Sequence, residues 1–314
     1  LPVVSLDIPS GVFADTGAVS PATVKADSTV TFCRPKPAHF LYPAKEYVGD
    51  LTVCPIGITD ETVANQQPRF IVNPPFELPA PTPYDHKYSR GAVLVAGGQM
   101  TGAARLTAQA ARRFGAGLVK VVCSPENALP YTVGDAGLVV STEPLEAAVR
   151  DKKISSIAFG MGFGLNERTK AALETVAKSG KPFVADADAL AYVKDVAPLT
   201  NAVLTPHEGE FARLFPDLKG DKLSRALIAA ETLGCVVALK GADTVIAAPD
   251  GRAAIDANTS FYLATAGSGD VLSGIIAALL AKRLPPFEAA CAGVALHSAA
   301  GIDAGENLIA EDLI

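Results

Sequence analysis

A chain of 314 residues that is 49% hydrophobic and 19% charged can bury a sizeable core and is long enough for one large domain or one domain plus a fragment. Its formal charge of −6 and isoelectric point near 5.3 exclude a nucleic-acid partner held by phosphate neutralisation. No uninterrupted apolar run reaches bilayer length, so no membrane partner is expected. The five cysteines, Cys33, Cys54, Cys123, Cys235 and Cys291, are scattered with no C-x-x-C pair, which fits reduced thiols in a cytoplasmic protein.

The chain opens at Leu1 in a strand-like run, Pro2 to Gly11, and reads as part of a longer polypeptide. Asp7 stands at the end of that run, where α/β sheets place ligands. Ala26 to Phe32 and Asp50 to Pro55 are further strand-like runs, with loops at Arg34–Pro37 and Gly49. These strands lack long helices between them and cannot cover both faces of a sheet alone. Prolines crowd the stretch from Pro68 to Pro83, which is expected to be extended and to connect rather than pack. Residues 61–83 are therefore read as a linker between a piece spanning 1–60 and a domain spanning 84–314.

Strands and helices then alternate regularly. Strands are expected at Ala92–Ala96, Leu118–Cys123, Leu138–Ser141, Ile157–Gly160, Pro182–Asp186, Ala202–Thr205 and Val236–Leu239. Helices are expected at Thr101–Phe114, Glu167–Lys178, Glu208–Leu214, Asp221–Leu233, Gly269–Lys282 and Phe287–Asp303. Thr244–Ala248 and Ala253–Ile255 form a hairpin around Asp250-Gly251. This spacing predicts a mostly parallel, doubly wound α/β sheet with helices on both faces.

In such a sheet the ligand crosses the carboxyl ends of the strands. Gly97-Gly98 and Gly160-x-Gly162-x-Gly164 each follow a strand there, and either suits a tight turn equally well. Asp186 and Asp188 end another strand; taken alone they read as a helix cap and a solvated residue. Thr205-Pro206-His207-Glu208-Gly209-Glu210 places a histidine and two carboxylates at a helix start. Capping explains the carboxylates, but the imidazole is left as a donor to a ligand. Lys240-Gly241-Ala242-Asp243-Thr244 offers a charge, a close backbone approach and a hydroxyl, a set suited to a nucleotide or to an ordinary hairpin entry.

The richest stretch is Ala264-Thr265-Ala266-Gly267-Ser268-Gly269-Asp270, which opens an apolar helix. Free N–H groups at a helix start, with the positive end of its dipole, form a site for phosphate or another oxyanion. Asp270 in the first turn is a candidate base beside that anion hole, or merely a capping residue.

In this order the motifs resemble the ADP-dependent NAD(P)H-hydrate dehydratases, a family of the ribokinase-like fold. The resemblance runs from about Tyr84 to Ile314 and extends to Gly97-Gly98, Gly102-Ala103-Ala104, Gly115 to Val119, Asp186 to Leu190 and the helix around His297. Residues Leu6 to Gly11 and Val30 to Pro37 are similar to the last third of NAD(P)H-hydrate epimerase domains, a partial α/β domain here. The resemblance implies phosphorylation of hydrated NADH or NADPH by ADP, then elimination, releasing AMP and phosphate. It implies Asp270 as base, with Gly267, Ser268 and Gly269 holding the phosphoryl group. Lys240, Gly241, Ala242, Asp243, Thr244 and Gly269 would bind the adenine nucleotide with Mg2+. Ala103, Gly162, His207 and Asp270 would hold the hydrated nicotinamide nucleotide. In the epimerase-like part, Asp7 matches a substrate-binding and catalytic carboxylate and Ser10 a K+ position, although epimerase activity is not expected of so short a remnant. The resemblance also implies a homo-oligomer, a tetramer. Ser268, Met161 and Ala191 depart from the family's usual Thr, Pro and Asn. An ATP-dependent small-molecule kinase of the same fold, or a nucleotide-binding regulator without turnover, would use the same anion hole.

Overall fold

A computed structural model describes every residue except Gln67, Arg69 and Gly134. The N-terminal strands β1 (Val4–Leu6), β2 (Ser28–Phe32) and β3 (Asp50–Cys54) form a small parallel sheet in the order β1-β2-β3. Thr29 and Thr31 are buried on one face, where Thr29 Oγ1 donates to the carbonyl of Val48 at 2.6 Å. Val4 and Leu6 stand exposed on the other face.

The main sheet contains β4 (Ile71–Val72), β5 (Ala92–Ala96), β6 (Leu118–Val122), β7 (Val139–Ser141), β8 (Ser156–Phe159), β9 (Phe183–Ala185), β10 (Ala202–Leu204), β11 (Val236–Leu239), β12 (Val245–Ala247) and β13 (Ala253–Ile255). Their order is β4-β13-β12-β11-β10-β9-β8-β5-β6-β7. Among these strands only β12 runs against the others. The chain winds outward in both directions from β5 and β8, which makes that pair the switch point.

The strands are apolar on both faces, and each face has its own cover. Val93, Val95, Val119, Val121, Val184 and Val203 pack beneath α1 (Thr101–Arg113), α5 (Ser268–Ala281) and α6 (Pro286–Ala304). The alternate residues, including Leu94, Ile157, Phe159, Phe183 and Leu204, pack beneath α2 (Glu167–Lys178), α3 (Glu208–Leu214) and α4 (Lys222–Leu233). α5 is buried on almost every side, as a helix apolar all round must be. It lies close against α1 because Gly274 has no side chain; a Cβ there would run into the carbonyl of Thr107.

The proline-rich stretch does more than connect. Ile71–Val72 adds an edge strand parallel to β13. The buried Asn73 then donates through Nδ2 to Asp256 Oδ1 at 3.2 Å and to the carbonyl of Cys291 at 3.0 Å. A strand of two residues leaves no periodic signal, so its pairing is set by the sheet it joins.

Candidate active site

The two glycine turns meet at the switch point. A Cβ on Gly98 would collide with the carbonyl of Gly162, and that carbonyl also accepts from the N–H of Met100 at 3.0 Å. Gly162 has φ +65°, a conformation a side chain would strain. Gly164 N–H donates to Asp188 Oδ2 at 2.7 Å, tying the β8 turn to the β9 turn. Ala103, half-buried in the first turn of α1, follows the β5 turn. Where the β5 and β8 turns touch, main chain thus meets main chain at Gly98 and Gly162.

Next to it, the carboxyl ends of β9 and β11 bring Asp186 and Lys240 together. Lys240 Nζ lies 2.9 Å from Asp186 Oδ1, and Ser273 Oγ donates to Asp186 Oδ2 at 3.1 Å. This pair lies directly under the start of α5. A Cβ on Gly269 would stand 3.2 Å from Lys240 Nζ and 3.5 Å from Asp186 Oδ2.

Gly267 caps α5 in the left-handed region, at φ +88°; the Ser268 N–H donates to the carbonyl of Thr265 at 3.4 Å, and the N–H groups that follow open the first turn of the helix. Ser268 is buried against His297, whose Nε2 is 3.0 Å from both the Ser268 hydroxyl and its carbonyl oxygen. Burial holds His297 down to a pKa of about 4, so its ring is neutral.

The side chain of Asp270 accepts no hydrogen bond among the described residues. Burial is the main cause that pushes its pKa up to about 6; the charge of Asp186 adds to this and Lys240 opposes it. A half-buried carboxylate with its lone pairs free, poised near neutrality beside a helix N-terminus, is equipped to take a proton from a hydroxyl.

A cavity of about 500 Å³ opens on the other side of the Gly269 turn. Lys240, Gly241, Ala242 and Thr244 form one wall and Phe261, Leu263, Ala264 and Thr265 the other, and Ser268, Gly269 and His207 also line it. The Gly241 N–H and the Thr244 hydroxyl close the 240–244 loop on itself at 3.3 Å. Asp243 lies away from the cavity: it is buried and paired with Lys222 at 2.5 Å. His207 Nδ1 accepts from the N–H groups of Gly209 and Glu210, at 3.0 and 3.3 Å, and so caps α3. The other ring nitrogen, Nε2, lies 3.6 Å from Glu210 Oε2, and His207 lines the cavity. The motif had explained only the carboxylates as capping groups; the ring caps as well.

In the N-terminal part, Asp7 takes φ +64° and its Oδ1 accepts from Thr31 Oγ1 at 2.9 Å and pairs with Lys36. Burial is the largest single effect and acts to raise its pKa, but the hydrogen bonds from Lys36, Thr31 and Phe32 and the charge of Lys36 together outweigh it, so the pKa is lowered. Ser10 is exposed in the following turn, its carbonyl accepting from Val24 at 2.9 Å.

Asp186, Ser273, Thr107, Lys222, Phe261 and Tyr42 are the site and supporting residues that the motifs did not assign. Only Asp186 carried a signal, as a carboxylate at a strand end.

The arrangement is that of the ribokinase-like fold. A solved ribokinase-like superfamily protein from Enterococcus faecalis superposes with a TM-score of 0.68 at 26% identity, covering 75% of this chain and 88% of that one. An ADP/ATP-dependent NAD(P)H-hydrate dehydratase from Bacillus subtilis, co-crystallised with ATP and Mg2+, gives 0.65 at 28% identity, covering 75% and 90%. The family model described as NAD(P)H-hydrate dehydratase matches residues 92–313, and that of the YjeF-related protein N-terminus matches residues 1–38. The chain belongs to the NAD(P)H-hydrate dehydratase family.

It is also 38% identical over 312 residues to the bifunctional NAD(P)H-hydrate repair enzyme of Escherichia coli, covering 95% of this chain and 60% of that protein. The corresponding enzyme of Thermofilum pendens is 37% identical, with 97% and 63% covered. The chain thus spans 60% and 63% of the length of these curated relatives. No helix among the described residues is long and apolar enough to cross a membrane.

Proposed function

We propose that this chain restores hydrated NADH or NADPH by ADP-dependent dehydration, releasing AMP and phosphate. The observation that carries the reading is the carboxylate of Asp270, without a hydrogen bond among the described residues, in the first turn of α5 beside Gly269, which lines the cavity. The hydrated nicotinamide nucleotide would lie over Ala103, Gly162 and His207. The adenine nucleotide would fill the cavity beside Lys240, Gly241, Ala242 and Thr244. Asp270 removes the proton of the hydrate hydroxyl as its oxygen attacks the terminal phosphorus of ADP and AMP leaves. The N–H groups of Gly267, Ser268 and Gly269 stabilise the charge on the transferring phosphoryl. Loss of phosphate and of a ring proton then restores the double bond, so that water leaves in net as part of phosphate.

Mg2+ fits this site as a companion of the nucleotide. Among the described residues no group of three or more His, Cys, Asp or Glu is placed to hold a metal ion. Phosphate oxygens, water and at most the carboxylates of Asp186 and Asp270 would hold it, a donor set Mg2+ favours. When bound it would neutralise phosphate charge. For K+ at Ser10, the neighbouring Asp7 is tied to Lys36, which leaves neutral hydroxyl and carbonyl oxygens, the kind of donor that suits K+. We extend the reading to a cytoplasmic homo-oligomer, a tetramer, which light scattering of the purified chain would check.

The test is an assay with hydrated NADH, run with ADP and with ATP. ADP-dependent return of NADH absorbance is expected. ATP-dependent phosphorylation of an alcohol without that return would replace this reading with a small-molecule kinase.

A further inference from the structure

The 240–244 loop has two sides, and the proposed chemistry uses one. Its back rests on the buried pair of Asp243 and Lys222, whose side chains are 9% and 8% exposed. Lys222 Nζ also donates to the carbonyl of Lys240 at 3.3 Å. A Cβ on Gly241 would run into Lys222 Nζ, so this pair forms the underside of the cavity wall. The second oxygen of Asp243 accepts the main-chain N–H of Tyr42 at 2.9 Å, from a residue 201 positions earlier.

The opposite wall is gripped from the same place. The ring of Tyr42 meets that of Phe261 edge-on, with centroids 6.3 Å apart, and Phe261 lines the cavity. Lys45 Nζ donates to the carbonyl of Ala257 at 2.8 Å, where the second wall leaves β13. The same ammonium lies 5.7 Å from the centre of the Tyr42 ring, joining the two grips. One turn of the N-terminal segment therefore holds both walls of a cavity that belongs to the other part of the chain.

We infer that the Leu41–Lys45 turn is a positioning element for the nucleotide, with Tyr42 and Lys45 setting the separation of the two cavity walls. The inference rests on the nucleotide reading of that cavity. Neither residue lines it; both act through Asp243, Phe261 and Ala257. A coupling of this kind is reciprocal: a turn that tightens the walls around a nucleotide is itself tightened when the nucleotide binds.

The experiment titrates the whole chain with ADP by calorimetry and follows amide exchange at residues 40–48. K45M keeps the aliphatic stem and removes the ammonium; about five- to tenfold weaker ADP binding is expected, the scale of a modest coupling. K45R keeps a donor and should return affinity to within about twofold of the parent, since the bond to Ala257 is remade. In turnover, KM for ADP rises while kcat holds, because Asp270 and the α5 N-terminus are untouched. ADP should slow exchange of the Tyr42 amide in the parent chain. Y42L, which keeps the main-chain donor and removes the ring, serves as a second variant and should weaken ADP binding in the same direction. Unchanged ADP affinity in both folded variants overturns the inference, as does a lower melting temperature with no change in KM. A parent chain that binds no ADP overturns the nucleotide site itself, a distinguishable failure.

Discussion

Thr107 Oγ1 shares its one proton between the carbonyl oxygen of Asp270, at 3.0 Å, and that of Ala103, at 3.1 Å, so one buried hydroxyl joins α1 to α5. The same turn of α1 faces Gly274, which allows the two helices to come this close. T107V keeps the shape of the side chain and leaves the carbonyl of Asp270 without this partner. A loss of about 1–2 kcal/mol in unfolding free energy is expected. Because Asp270 is then less firmly held, kcat should fall while KM for ADP stays near the parent value. Denaturant melts and steady-state kinetics check both.

Asp270→Asn removes the base and keeps the size of the side chain. ADP affinity should persist, while turnover falls by about 10²–10⁴, the range that general-base catalysis contributes. Near-parental turnover in this variant would end the assignment of Asp270.

The pKa of Asp270, raised to about 6, fixes the pH dependence. A base must be ionised, so kcat/KM should drop along a limb centred near pH 6, well above the ordinary carboxylate range. Stability has the opposite sign. The fold favours the protonated form, so this contribution is fully present below the unfolded value near 4 and is lost as pH rises through about 6. At pH 7–8 the ionised Asp270 is therefore a cost, and D270N should melt higher than the parent there, with the difference closing toward pH 4. Thermal melts across that range would expose a wrong sign at once.

Gly267 sits at φ +88°, and a Cβ on it would approach Leu106 Cδ1 to 2.6 Å and Ala310 Cβ to 2.9 Å. G267A is therefore strained twice, by conformation and by contact. It should cost about 1–3 kcal/mol in stability, the range for overpacking and unfavourable φ. Turnover should fall further than stability alone explains, because the first N–H groups of α5 turn with it. The comparison is of kcat for G267A and T107V at temperatures where both remain folded.

Most of the fold was legible because its strands are short, apolar and separated by amphipathic helices, and each such run falls close to an observed strand. The pairing of Gly98 with Gly162, and of Asp186 with Lys240, was not, since strand order rather than sequence spacing brings those ends together. The 240–244 motif suited a nucleotide loop or an ordinary hairpin entry and could not say which side chain faces inward. Asp243 turns away because a buried lysine and a main-chain N–H satisfy it from below. Tyr42 carried no signal at all: Asp243 and Phe261, which it meets, lie 201 and more residues away, and a main-chain donor has no residue type.

Lys240 and Asp186 allow a last separation of binding from folding. The Asp186 side chain is 4% exposed and that of Lys240 19% exposed, so removing the lysine strands a carboxylate in a dry site. K240M should lose about 3–5 kcal/mol of stability, the scale for breaking a buried pair, and should also weaken ADP binding. D186N in the same chain removes the stranded charge, and Asn still accepts from Ser273. The double variant should therefore regain most of the lost stability and none of the ADP affinity. If the two properties instead recover together, Lys240 acts on the nucleotide only through the fold, and its place in the binding wall falls. If neither recovers, the pair is not the unit that holds the start of α5.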